Sequence, residues 1–221
     1  MRIKICGLTK REDVELCLSL GIDALGFIFA ESPRQICLEK AAVLLEGIPP
    51  FISRVAVVQN PGEKLLKDIL STGLFDYIQF HGNESPDIVE KCPLKTIKTV
   101  CIEAGQSISS IEKSMAKYPG VGYFLFDTRI GNEKGGTGES FDWGIFQYLK
   151  IDKPFILAGG LGPDNVGEAL EVIEMAALDI NSRIEKKPGV KDENLLRKTL
   201  QVIDDYQRKS VYRKTTGTGG D

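Results

Sequence analysis

The sequence predicts a single (β/α)8 barrel, and three observations carry that expectation. Short β-rich apolar runs recur eight times along 221 residues, a helix-compatible stretch follows each run, and the runs lack polar alternation, as parallel strands covered on both faces do. An open doubly wound sheet would share these features. Eight units in about 210 residues favour closure, because an eight-stranded barrel leaves no edge unpaired.

The strands are expected at Ile3–Cys6, Ala24–Phe29, Val55–Val58, Tyr77–Phe80, Thr96–Val100, Tyr123–Phe126, Phe155–Leu157 and Leu178–Ile180. Helices are expected at Arg11–Leu20, Leu38–Gly47, Glu63–Ser71, Pro86–Lys91, Ile108–Lys117, Trp143–Leu149, Asn165–Ile173 and Glu193–Gln207. Thr9 with Glu12 three residues later reads as a capping box, and Gly21 as the stop of the first helix. Pro61, Pro86 and Pro163 fall where helices begin, the place where a missing N–H costs least. Residues 1–209 form the expected barrel. Residues 210–221, ending TTGTGGD, lack apolar content and read as a flexible polar tail.

Composition narrows the function classes. Hydrophobic residues at 42% and charged residues at 27% are average for a globular chain, enough for a core without disulfides or metal. Lys and Arg number 28 against 31 Asp and Glu, a net charge of −3 with no long run of either sign, so nucleic acid is not an expected partner. Five cysteines with no C-x-x-C spacing point to a reducing, cytoplasmic setting. With one histidine and no close cysteine pairs, no metal is expected. The apolar run at the N-terminus is too short for a signal segment and none reaches about 18 residues, so no membrane association is expected.

Catalytic groups of such barrels sit where strands end at their C-terminal side. The residues there are Cys6-Gly7, Ser32-Pro33-Arg34, His81-Gly82, Asp127, Gly159-Gly160 and Asp179-Ile180-Asn181-Ser182. Cys6 reads equally as a small buried hydrophobe, Asp127 as a loop cap, Arg34 as a solvated charge and His81 as a satisfied strand-end histidine. Glycines after the seventh strand let backbone N–H groups approach a phosphate, so a phosphorylated substrate is expected. The run GNEKGGTG (Gly131–Gly138) after Asp127 suits a mobile lid.

Taken together, KICGLT (Lys4–Thr9), GIDALGFIF (Gly21–Phe29), SPR (Ser32–Arg34), QFHG (Gln79–Gly82), FDT (Phe126–Thr128), GGTGESFDW (Gly135–Trp143), LAGGL (Leu157–Leu161) and PGVKD (Pro188–Asp192) resemble, in order, the signature set of the phosphoribosylanthranilate isomerase family. That resemblance spans residues 2 to about 200, and KICG with GGTG-x-x-FDW is its specific part, whereas AGGL is shared by many phosphate-binding barrels. It implies a cofactor-free Amadori rearrangement of N-(5-phosphoribosyl)anthranilate to 1-(2-carboxyphenylamino)-1-deoxyribulose 5-phosphate in tryptophan biosynthesis. It further implies that Cys6 is the general base and Asp127 the general acid, which calls for a thiol shifted toward thiolate and a carboxyl held protonated. Arg34 matches the arginine that holds the anthranilate carboxylate. Gly159, Gly160 and Ser182 match the phosphate loops. His81 and Arg183 complete the substrate-binding candidates. A monomer or a homodimer is expected.

The chain departs from the family pattern at three places. Arg183 stands where a glycine is usual, and there either strains the phosphate loop or adds a charge to it. VAVVQN replaces VGVFVN, and Gln35 replaces the tyrosine that often follows SPR. A histidine-pathway aminoaldose isomerase, which relies on paired aspartates, and a noncatalytic phosphate-binding barrel are the competing readings.

Overall fold

Eight parallel strands close into a barrel in chain order: β1 (Arg2–Ile5), β2 (Ala24–Ile28), β3 (Ser53–Val58), β4 (Tyr77–Phe80), β5 (Lys95–Glu103), β6 (Tyr123–Arg129), β7 (Phe155–Ala158) and β8 (Ala177–Ile180). The ring is sealed by β8 against β1, from Arg2 opposite Ala177 to Ile5 opposite Ile180. The computed structural model describes residues 1–103, 105–129 and 143–216. The segment expected as a lid, Gly131–Gly138, lies outside them, as does all of GGTGESFDW except Trp143. No helix among the described residues is long and apolar enough to cross a membrane.

Among the described residues seven α-helices surround the ring: α1 (Arg11–Ser19), α2 (Leu38–Leu44), α3 (Glu63–Ser71), α4 (Pro86–Glu90), α5 (Ile108–Met115), α6 (Val166–Val172) and α7 (Glu193–Thr216). The helix expected after β6 is instead a 3-10 turn, Trp143–Gln147. Its two buried aromatics, Trp143 and Phe146, are three residues apart, which three residues per turn place on one side. From there Phe146 stacks on Phe155 with ring centroids 5.7 Å apart. At the other end of the chain α7 continues to Thr216, beyond residue 209, where the polar tail was expected to begin.

Two of the expected local signals act differently. Thr9 caps nothing: α1 starts from Lys10 without a side-chain cap, and the Thr9 hydroxyl donates instead to the Gly189 carbonyl. Of the three prolines only Pro86 opens a helix, behind a Ser85 side chain that accepts from the Ile88 N–H. That Gly189 belongs to an antiparallel hairpin the sequence reading did not anticipate, β9 (Glu185–Lys187) with β10 (Val190–Lys191), laid down after β8.

Strand alternation divides the apolar residues into two layers. Ile5, Leu25, Phe27, Ala56, Val58, Ile78, Phe80, Phe126, Leu157 and Leu178 join the helices in the main core. Cys6, Val55, Val57, Ile97, Leu125, Ile156 and Ala158 form a second cluster, the barrel interior. The interior is not wholly apolar, since Lys4, Gln79, Thr99 and Asp179 are also buried. Burying such groups is costly unless they bond one another, so their arrangement is informative.

One buried ion pair organises the loops that carry the site. The Lys98 ammonium donates to Glu84 at 3.0 Å and to the Gly82 carbonyl at 2.6 Å, while Glu84 Oε1 accepts from the N–H groups of Asn60 and Gly82, each at 2.9 Å. Glu84 therefore ties the loop after β3 to the loop after β4. Replacing it with alanine leaves a buried ammonium and two backbone donors without their acceptor. The expected loss is about 3–5 kcal/mol of stability, read from denaturant midpoints of both proteins. A loss under about 1 kcal/mol, the ordinary size of a surface pair, would show that these loops are held by other means.

Candidate active site

At the C-terminal end of the barrel the strand ends enclose a cavity of about 230 Å³ whose lining includes Cys6, Gln79, His81, Asp127, Gly159, Gly160, Asp179, Asn181 and Ser182. Cys6 follows β1, His81 follows β4 and Asp127 lies within β6, so alternation turns all three toward the same mouth. A larger cleft of about 560 Å³ lies beside α5 and Lys150–Lys153. It gathers no comparable set of strand-end groups, and volume alone does not locate chemistry.

Two glycines make room for this arrangement. A Cβ on Gly26 of β2 would stand 2.9 Å from the Cys6 sulfur and 3.0 Å from Lys4 Cε, so the absence of a side chain there lets both residues lie inside the ring. Gly7 has φ +72°, and a Cβ on it would meet Arg34 Cδ at 2.6 Å and Asn181 Oδ1 at 2.8 Å. Neither position tolerates a larger residue without moving the site.

A chain of buried polar groups crosses the barrel beneath the cavity. Lys4 Nζ donates to Asp179 Oδ2 at 2.7 Å and to Gln79 Oε1 at 2.9 Å. An ammonium can only donate, which assigns the Gln79 carbonyl to Lys4 and its amide nitrogen to His81 Nδ1, 3.2 Å away. His81 Nδ1 thus accepts, and its Nε2–H points at Asp127 Oδ2 at 3.2 Å. The carboxylate and the imidazole are placed to share a proton. On the other side of the chain, Asp179 is only 7% exposed and its Oδ1 has no hydrogen-bond partner among the described residues.

The electrostatics of Cys6 correct one expectation. Burial pushes its thiol above the ordinary value; the Lys4 and Lys191 charges pull it down, and Asp179 adds to the rise. The net direction is upward, opposite to the shift toward thiolate that the resemblance called for. The reason is burial first, which outweighs the nearby Lys4 charge, with Asp179 adding to the rise. Lys4 itself is disfavoured as a cation by burial but is held above its usual value by Asp179 and Cys6.

Arg34 stands behind the rim. Its guanidinium grips Glu185 of β9 in a two-pronged pair, Nε at 3.0 Å and Nη2 at 2.6 Å. Glu185 also accepts from the buried Lys191 Nζ at 3.0 Å, which in turn reaches Asn181 Oδ1 at 2.9 Å. Burial would raise the Glu185 carboxyl, but Arg34 and Lys191 outweigh it and hold the group below the usual range. The hairpin thereby fixes both the arginine and the loop after β8. Gly159 and Gly160 have φ of +97° and +60°, and Ser182 opens a 3-10 turn, Ser182–Ile184.

Arg183 lies in that turn, and the only non-glycine residues at positive φ among the described residues are Phe51 and Asn60. Its backbone is not strained, so that part of the expectation is withdrawn. The side chain is exposed and packs across the glycine loop, with Nε 3.7 Å from where a Gly160 Cβ would stand. Six of the eight candidates from the sequence therefore line the cavity, while Arg34 and Arg183 approach it from outside. Lys4 and Gln79 were not singled out, and Asp179 was named as a strand-end residue without a role. The signal was present in Lys4, a charge two residues before Cys6 in an apolar strand and hence on the same face.

The N-(5'phosphoribosyl)anthranilate (PRA) isomerase family profile matches residues 3–202. The N-(5'-phosphoribosyl)anthranilate isomerase of Petrotoga mobilis is 47% identical over 209 residues, covering 95% of this chain and all of that relative. The crystal structure of the Thermotoga maritima enzyme superposes with a TM-score of 0.80 at 30% identity, over 93% of this chain and 99% of the other. A phosphoribosylanthranilate isomerase in complex with reduced 1-(o-carboxyphenylamino)-1-deoxyribulose 5-phosphate superposes at 0.78 with the same identity and coverage.

Proposed function

Since the chain belongs to the phosphoribosylanthranilate isomerase family and catalyses that isomerisation in tryptophan biosynthesis, we propose that Cys6 and Asp127 divide the proton transfers between them. The observation that carries this reading is their convergence on one cavity from β1 and β6, with His81 against Asp127 and the Lys4 charge beside Cys6.

Asp127, in its protonated form, gives its proton to the furanose ring oxygen as the bond from that oxygen to the anomeric carbon breaks, and the carboxylate left behind accepts from His81 Nε2–H. The electron pair of the anthranilate nitrogen forms an iminium. This acidifies the neighbouring sugar carbon, whose proton the thiolate form of Cys6 removes, becoming the thiol and leaving an enolamine, and tautomerisation gives the amino-ketose. Asp179 Oδ1 is the acceptor left over for a sugar hydroxyl. Gly159, Gly160 and Ser182 hold the phosphate by N–H and O–H donation. Arg34 holds the anthranilate carboxylate, an exchange of one carboxylate partner for another if Glu185 yields part of its grip.

The experiment is a turnover assay with purified protein and phosphoribosylanthranilate, with no metal or nucleotide added. Product formation is the expected result. No product, with substrate still bound, would return the noncatalytic binding barrel as the better reading.

Two roles were weighed for Arg183, strain in the phosphate loop and an added charge. An unstrained backbone and a guanidinium laid over Gly160 favour a contribution to phosphate binding, so Arg183→Gly is expected to raise KM about three- to tenfold with kcat little changed, the scale of an exposed charged hydrogen bond. A lowered KM would mean the arginine obstructs. One catalytic domain over residues 1–209, a reducing cytosolic setting suited to its thiols, a monomeric or homodimeric state and no nucleic-acid partner complete the reading.

A further inference from the structure

We propose that His81, Cys101 and Asp127 form a binding site for a thiophilic divalent transition metal of the zinc class, and that such a metal blocks the isomerase. The expectation of no metal rested on the lack of close Cys and His pairs in sequence. These three residues are 20 and 26 positions apart, since 101 − 81 = 20 and 127 − 101 = 26, and only the barrel assembles them.

The assembly follows from strand register. Cys101 of β5 is the direct partner of Asp127 of β6, so both side chains face the mouth at one height. His81, tied by its backbone N–H to the Val58 carbonyl, joins them from the end of β4. One ligand atom from each, an imidazole nitrogen, the Cys101 sulfur and a carboxylate oxygen, lies within 4.8 Å of the other two. Bringing them to tetrahedral distances around a zinc-sized ion needs roughly 1 Å of closure. All three side chains are half-buried, and two of them, His81 and Asp127, line the cavity.

Nitrogen, sulfur and oxygen from three residues with a fourth position open is the donor set of mononuclear zinc sites, and thiolate with imidazole disfavours magnesium and calcium. An outer partner is in place as well. Thr99 Oγ1 is 3.1 Å from His81 Nδ1 and 3.4 Å from the Gln79 amide nitrogen, so when the metal binds it can accept from both, the Gln79 N–H leaving Nδ1 to an Nδ1–H, which frees the Nε2 lone pair for the ion. The proton balance is then complete. The thiol proton of Cys101 and the acidic proton of Asp127 leave to solvent, the ring proton moves from Nε2 to Nδ1, and no electron is transferred.

The binding claim stands apart from the catalytic roles; only the block on turnover rests on Asp127 being the acid. Cobalt(II) titrated into the purified full chain is the direct probe. One equivalent should give a thiolate-to-cobalt charge-transfer band in the near ultraviolet, displaced by zinc(II), retained in Cys6→Ala and lost in Cys101→Ala. In the turnover assay zinc(II) should inhibit the unmodified chain, with recovery on adding EDTA. Cys101→Ala should match it in metal-free turnover, which also reports correct folding, and need at least about tenfold more zinc for the same inhibition. No band, or one lost in Cys6→Ala and kept in Cys101→Ala, overturns the site. The expected band without inhibition supports the site and overturns the acid role of Asp127 instead.

Discussion

Replacing Cys6 with alanine is expected to lower kcat for phosphoribosylanthranilate by at least about a hundredfold, the usual scale for a lost general base. The cavity should keep its shape, because Cys6 sits among small interior side chains and Lys4 retains Asp179 and Gln79 as partners. KM is therefore expected to change little. The pH profile gives an independent check. Burial raises the Cys6 thiol, so the basic form is the minor one at neutral pH and its fraction grows as pH rises. For the unmodified chain kcat/KM should climb about tenfold per pH unit on that limb. The climb should continue beyond the ordinary thiol value of 9.0. Full activity in Cys6→Ala rules the thiol out as the base, and a plateau reached near neutrality overturns its upward shift.

Asp127→Asn is the second large effect, again at least about a hundredfold in kcat. The substitution is nearly isosteric, and its carbonyl oxygen can still accept from His81 Nε2–H, so the imidazole stays in place while the acidic proton is lost. Loss in kcat with unchanged KM is the pattern of a group that acts in the transition state. Activity within a few-fold of the unmodified chain would instead assign the acid to His81, the other proton-bearing group at that end of the polar chain. His81→Asn then becomes the decisive variant.

Much of this site was legible before any coordinates. The eight apolar runs and their order place β1 to β8 within a few residues, because uninterrupted apolar strands alternating with helices have few compact solutions. Cys6, His81, Asp127 and the Gly159-Gly160 pair were found as the polar residues on which those runs end. The misses share a cause. Thr9, expected to cap α1, donates to a carbonyl 180 residues away, and the helix expected at Trp143 gave way to a 3-10 turn that buries two aromatics. In both, a long-range partner overrode a local preference.

The sequence by itself determined the architecture, the family and the strand-end residues that meet in the cavity, since each depends on local order along the chain. The tertiary structure alone decided their electrical state and company. Burial in the ring raises the Cys6 thiol despite Lys4, Asp179 adds to the rise, Glu185 restrains Arg34, and β5 sets Cys101 beside Asp127. These are interactions between residues distant in sequence, whose strength depends on separation and on exclusion of water, and neither quantity exists until the barrel has closed.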